Sequence, residues 1–390
     1  MSARVTSITD IRTRARRGEM VELTSSRLAI FVVVVVALLL VVGLGAILSA
    51  SSAGGILGES DRLETFRRQV RWVVVGLAAM VVTAVTPYTW YKRAAVWILG
   101  ASTLGLILVP VLGSTRGGAE RWIQVGSITV QPSEFSKLAV IVFLASVLAD
   151  RRDRLDDLQQ FIGPVLLSAG ATCALVVLQP DLGTALIIAG AAGGVVLASG
   201  IPMRYILGGG VVIVALAGVS TVAYPYRRER FACFLDPLAD PLGSCYQLAQ
   251  SLMAVGSGHL MGVGLGASRA RWAFLPNANT DFIFTIIAEE TGFFGAIALL
   301  LTLTVLSLIG IWIAYRTGDT FARLLASGIT AWISVQSIVN VGGVVGVIPV
   351  TGLALPFVSV GGSAMVAALA GAGILINITR TAPQNSEVRK

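Results

Sequence analysis

Uncharged runs of about twenty residues recur along this chain, and their spacing predicts its architecture. "LAIFVVVVVALLLVVGLGAIL" (28–48) carries no charge and matches the roughly 20 apolar residues that a helix needs to cross a bilayer. Similar runs lie near 72–86, 95–112, 138–149, 161–178, 182–199, 205–223, 282–314, 324–348 and 362–378. The pattern predicts an all-α polytopic membrane protein with about ten transmembrane helices. Its least sharp edges are at the short fourth run and the long eighth and ninth. Two connections are long, 113–137 and about 224–281. The second is rich in Gly and Pro but keeps apolar stretches such as "LAQSLMAVG", which predicts short helices lying on the membrane face. No soluble domain or short repeat interrupts the series. The chain therefore divides into a basic tail (1–27), one membrane domain (28–378) and a second tail (379–390).

Composition agrees: 13% of the 390 residues are charged, against roughly 25% in an ordinary globular domain. The run at 28–48 follows basic residues like a signal peptide, but it exceeds the 7–15 residues of such a segment and is expected to remain as the first span. Lys and Arg set the orientation. With both termini in the cytoplasm, the inner side carries Arg4, Arg12, Arg14, Arg16, Arg17, Arg27, Lys92, Arg93, Arg151, Arg152, Arg154, Arg204, Arg316, Arg323, Arg380, Arg389 and Lys390. Arg62, Arg67, Arg68, Arg71, Arg116, Arg121, Lys137, Arg227, Arg228, Arg230, Arg269 and Arg271 then lie outside. Basic residues held outside against the usual bias suggest an anionic partner there, with lipid headgroups the competing reading for any single Arg. The net charge of +8 comes with no nucleic-acid signature.

Most metal and nucleophile chemistry is excluded. His259 has no second His or Cys cluster to complete a zinc site. There is no CxxC, and "GVGLG" (262–266) is only a glycine-rich turn. Cys173 lies in a span. Cys233 and Cys245 share the long outer connection, where oxidation is permitted and unpaired thiols remain an open alternative.

Carboxylates at the spans hold more information. In "QPSEFSK" (131–137), Pro132 and Ser133 suit a helix start, and Glu134 and Lys137 fall on one helical face. In "QPDLGTA" (179–185), Pro180 ends one helix and Asp181 can cap the next. Asp281, after Pro276 and Asn279, reads as a first-turn residue of the eighth span. Glu289 lies eight residues deeper, roughly 12 Å along the axis. It and its neighbour Glu290 cannot face lipid cheaply at that depth. Successive positions cannot share one narrow site, so one of the two is structural. "PVTGLALPFVSVGGS" (349–363) predicts a non-helical re-entrant segment whose free N–H groups could receive an anionic or hydroxyl-rich ligand.

In this order these pieces resemble the SEDS family of cell-wall proteins (FtsW, RodA, SpoVE) over about residues 25–380, and the FtsW branch most. The resemblance rests on "FRRQ", "ERWIQVGSITVQPSEFSK", "QPDLGTA", "YQLAQSLMAVGSG", "GVGLGAS", "LPNANTDFIF", "AEETG" and "PVTGLALPFVSVGGS". It implies a ten-helix glycosyltransferase of the bacterial cytoplasmic membrane, polymerising lipid II at the outer face and serving septal synthesis. Asp281 falls on the family's essential aspartate, beside Thr280. The family's polar cavity falls on Arg68, Arg121, Glu134, Lys137 and Asp181, and its final loop on Ser359, Gly361, Gly362 and Ser363. The implied partners are lipid II, a class B penicillin-binding protein transpeptidase and other division proteins. The cofactor question stays open between none and a divalent cation, Mg²⁺ or Mn²⁺. This chain departs from the family at Asn277 and Asn279, where Glu and His are usual, at Val360 in place of Tyr, and at His259 in place of Gly. The competing functions are a flippase for lipid-linked precursor, a RodA-type elongation polymerase, and a scaffold that recruits a transpeptidase.

Overall fold

The computed structural model describes residues 8–51, 63–116, 119–126, 128–151, 158–270, 275 and 278–383. Arg4, Arg62, Arg152, Arg154, Arg271, Pro276, Asn277, Arg389 and Lys390 lie outside the described residues. The first three helices are α1 (Ile8–Ser51), α2 (Glu64–Val85) and α3 (Tyr88–Leu112). Strands β1 (Gly113–Arg116), β2 (Ala119–Val125) and β3 (Ile128–Val130) follow, and then α4 (Pro132–Asp150). The next span is composite: α5 (Leu158–Val165), a π-helical turn (Leu166–Gly170) and α6 (Ala171–Leu178). After α7 (Leu182–Ser199) and α8 (Met203–Ala223) come two shorter helices, α9 (Pro225–Leu235) and α10 (Tyr246–Ser257). The chain closes with α11 (Ile283–Arg316), α12 (Thr320–Val344) and α13 (Gly362–Thr381). Among the described residues ten helices are long and apolar enough to cross a membrane, one for each run in the sequence.

The differences lie at the ends and in one connection. α4 begins at Pro132, and Ser133, Glu134, Ser136 and Lys137 in its first two turns are all buried. Polar residues turned into the bundle lower hydropathy without exposing the helix, so this span looks short in the sequence. α2 likewise starts at Glu64, ahead of its apolar run, and buries Gln69. The connection after α3 folds as a three-stranded antiparallel sheet in the order β1-β2-β3, an addition to the all-helical reading. α8 has no buried residue and is apolar on all sides. A helix of that composition is stable facing hydrocarbon and not water.

α11 is broken at Gly292 (φ 69°, ψ −164°), and the glycine-rich segment after α10 clamps the break. The amides of Val263 and Gly264 donate to the carbonyls of Glu289 and Glu290 (3.0 and 3.1 Å). In return, Phe293 N–H donates to His259 O at 2.9 Å. "GVGLG" is thus a backbone clamp that satisfies groups a helix break would orphan. A Cβ at Gly292 would meet Gly262 N at 2.3 Å and Leu260 O at 2.6 Å. Its positive φ also disfavours any other L residue. Gly292→Ala is expected to cost about 2 kcal/mol or more, read as a drop in thermal midpoint of the detergent-solubilised protein. An unchanged midpoint would contradict the clamp.

Candidate functional site

Helix α11 begins at Ile283, with Phe282 at the N-cap and no side-chain cap. Asp281 therefore precedes the first turn, and the expectation of a first-turn residue is corrected. Its backbone carbonyl and its side chain both meet other elements. Asn340 on α12 donates from Nδ2 to Asp281 O (2.8 Å) and to Leu353 O (2.5 Å), joining the turn to the re-entrant segment. Gly352 (φ +74°) passes so close that a Cβ there would sit 3.4 Å from Asp281 Oδ2 and 3.7 Å from Arg230 Nη1. Arg230, on α9, donates to Val350 O at 3.0 Å, and its guanidinium lies 4.5 Å from the centre of the Tyr226 ring. Thr280 hydrogen-bonds the carboxylate through its side chain. A small pocket here is lined by Asp281, Asn340, Val350, Thr351, Gly352 and Leu353.

Burial pushes the Asp281 carboxyl from 3.8 up to about 6, against the pull of Arg230, Thr280 and Arg121 and with help from the charge of Asp181. Desolvation penalises the ionised form more than these partners stabilise it. The group is still ionised at neutral pH and is a stronger base than an ordinary aspartate, as proton abstraction requires.

Asp181 is the N-cap of α7, as the sequence predicts, accepting from Thr184 N (3.1 Å) and Thr184 Oγ1 (2.9 Å). Arg121 on β2 reaches the same corner. It donates to Gln179 O (3.0 Å) and to Pro180 O, with Nη1 3.8 Å from Asp181 Oδ2. Both charges bear on Asp281.

Other expected site residues have other partners. Lys137 has no exposed surface. Its Nζ meets Glu134 Oε2 at 2.7 Å and Gln336 Oε1 at 3.0 Å, and lies 5.2 Å from the Trp332 ring centre. Gln336 in turn donates to Ala354 O at 2.7 Å, so this buried pair is linked through Gln336 to the re-entrant segment. That segment is non-helical, as expected, and some of its amides are engaged within the protein. Leu355 N–H donates to Ser359 Oγ (2.8 Å), Val360 N–H to Asn279 O (3.0 Å) and Gly361 N–H to Gln69 Oε1 (3.2 Å). Ser363 Oγ accepts from Gln131 N–H at 2.9 Å, and Gly362 leaves room for the Trp72 indole. Ser359 Oγ, Ser363 Oγ and the Gly361 amide thus shape the loop, and α13 begins at Gly362 without a side-chain cap. Arg68 is exposed on α2 and is not among the charges that bear on Asp281.

The two deeper glutamates diverge. Glu289 accepts from Ser268 Oγ, Arg269 N (2.9 Å) and Ala270 N (3.2 Å), fixing the chain that leads toward Asp281. Glu290 accepts from Ser49 Oγ on α1. Cys233 and Cys245 form a disulfide with Cα atoms 5.1 Å apart, inside the range a bridge allows.

Sequence reasoning counted Arg230 among the outer arginines without placing it at the site. Arg227 and Arg228 precede it in the same stretch, and only the fold separates them. Asp281 and Asp181 are the carboxylates that could share a divalent cation with a substrate diphosphate. Arg230 and Arg121 already sit against them, and among the described residues no three His, Cys, Asp or Glu side chains gather.

Comparison with known proteins places the sequence and the fold. The family model for FtsW, RodA and SpoVE, described as "Cell cycle protein", covers residues 29–384. Stage V sporulation protein E of Bacillus subtilis (strain 168) is 36% identical over 360 residues, 90% of this chain and 96% of that one. The probable peptidoglycan glycosyltransferase FtsW of Mycobacterium tuberculosis (strain ATCC 25618 / H37Rv) is 36% identical over 355 residues, 90% of this chain and 68% of that one. Among solved structures, a chain of "Structural coordination of polymerization and crosslinking by a peptidoglycan synthase complex" superposes with a TM-score of 0.73 at 30% identity, covering 90% of this chain and 96% of that one. Thermus thermophilus rod shape determining protein RodA superposes at 0.68 and 29% identity, covering 91% and 97%. By sequence and by fold, this chain belongs to the FtsW/RodA/SpoVE family.

Proposed function

We propose that this chain is a peptidoglycan glycosyltransferase that polymerises lipid II at the outer face of the cytoplasmic membrane, in septal synthesis, with Asp281 as general base. The observation that carries the base assignment is the Asp281 carboxylate, raised in basicity by burial, against Arg230 in a pocket roofed by the re-entrant segment. The relatives' names support the reaction class.

Asp281 takes the proton of the acceptor sugar's 4-hydroxyl, a role worth roughly 10²–10⁴-fold. The freed oxygen attacks the donor's anomeric carbon. The bond from that carbon to the lipid diphosphate breaks with inversion. Arg230, then Arg121, takes up the charge left on the diphosphate. Lys137, enclosed against Glu134 and Gln336, acts by holding the loop through Gln336. The prenyl chain stays in the bilayer throughout, which accounts for a site set at the end of apolar helices. Both termini are then cytoplasmic. The polymer needs crosslinking, so the partner is a class B penicillin-binding protein, recruited with other division proteins.

The pH–rate profile tests the base. Polymerisation is expected to fall about tenfold per unit as pH drops below about 6, as Asp281 protonates, and to level off above it. A rate unchanged from about pH 5 to about pH 7.5 would remove Asp281 from the base role.

A further inference from the structure

We propose that the Cys233–Cys245 disulfide is a positioning element of the reaction, a covalent tether that keeps Arg230 at Asp281. This inference rests on the polymerase reading of the site. Arg230 and Cys233 are three residues apart on α9, hence on one face. Among the described helices, α8 is the one α9 packs on extensively, and α8 itself buries no residue. Neither helix has the core contacts that fix its neighbours. Arg230 Nη1 to Val350 O is, among the described residues, the polar contact that ties α9 to the re-entrant segment.

Cys245 belongs to a firmer body. It is the N-cap residue of α10. Ser251 of α10 lies 2.7 Å from Thr285 Oγ1 on α11 and donates to Val344 O on α12 at 2.9 Å. Both cysteines are buried. The bridge therefore carries the rigidity of α10–α12 to the helix that bears Arg230. Without it, α9 keeps few buried contacts, the condition under which a segment opens locally. Opening takes a dithiol reductant: its two thiol hydrogens end on the two cysteine sulfurs, and it closes to its own disulfide.

The test uses the full chain with its transpeptidase partner, carrying Cys173→Ser so that alkylation reports only the pair. Lipid II polymerisation is measured with and without dithiothreitol, beside the Cys233→Ser/Cys245→Ser variant. On reduction, KM for lipid II is expected to rise about three- to tenfold, the scale of one weakened charge-assisted contact. The serine pair should show the raised KM with or without reductant. Adding Arg230→Ala to it should change KM by less than the sum of the two effects, since both act through one contact. Amide exchange over 225–235 should quicken on reduction. A bridge that only stabilises the fold would lower the thermal midpoint and leave KM and exchange over 225–235 unchanged. That result, or additivity with Arg230→Ala, would overturn the proposal. Absence of polymer from the oxidised protein would count against the polymerase reading alone, because the exchange measurement still decides whether the bridge holds α9.

Discussion

Lys137→Ala is expected to destabilise the protein by about 3–5 kcal/mol, the cost of leaving a buried charge without its partner. Lys137 Nζ is enclosed between Glu134 (2.7 Å), Gln336 (3.0 Å) and the Trp332 ring. Its removal strands the Glu134 carboxylate, which is 6% exposed. It also frees Gln336, which holds Ala354 O of the re-entrant segment. Thermal unfolding in detergent measures the loss. Replacing both charges, as Glu134→Gln with Lys137→Met, should recover most of it, because a buried ion pair costs nearly as much desolvation as it returns in attraction. A Lys137→Ala protein of normal stability with a raised KM for lipid II would instead place Lys137 directly on the diphosphate.

Asp281→Asn is expected to lose at least about 10²-fold in polymerisation while folding as well as the parent or better. The sign follows from the raised carboxyl. Between its ordinary value of 3.8 and about 6, the folded state binds more protons than the unfolded state, so stability falls as pH rises through that window. Above it the ionised group costs up to about 3 kcal/mol, at 1.36 kcal/mol per pH unit, less what solvent screening returns. Asparagine keeps the volume without the charge. The variant should therefore match or exceed the parent's thermal midpoint at pH 7.5, as expected where an active site stores strain. A lower midpoint together with retained activity would make Asp281 a structural residue.

Hydropathy made every span legible, because apolar runs of bilayer length have few other uses. It failed where polar side chains turn inward: Glu134 and Lys137 shortened the apparent fourth span by hiding in the bundle. The strand pairing around "RWIQVGSITV" was missed because the helical series on either side set the expectation. Asp181 was readable as a cap from its place after Pro180, a local matter of chain direction. Asp281 was readable as a site residue only through the family resemblance, and its exact seat before α11 was not. The engaged amides of Val360 and Gly361 and the place of Arg230 depend on contacts between distant elements, which no local pattern carries. The paired cysteines had two open readings, and the Cα separation of 5.1 Å selects the bridge.

The most direct measurement reconstitutes the purified chain with its partner, transpeptidase activity blocked, in vesicles containing lipid II, and follows polymer length and lipid II translocation together. Long glycan strands are expected from the parent protein, none from Asp281→Asn, and lipid II translocation from neither. Translocation by the parent without polymer, abolished by Asp281→Asn, would contradict the polymerase reading.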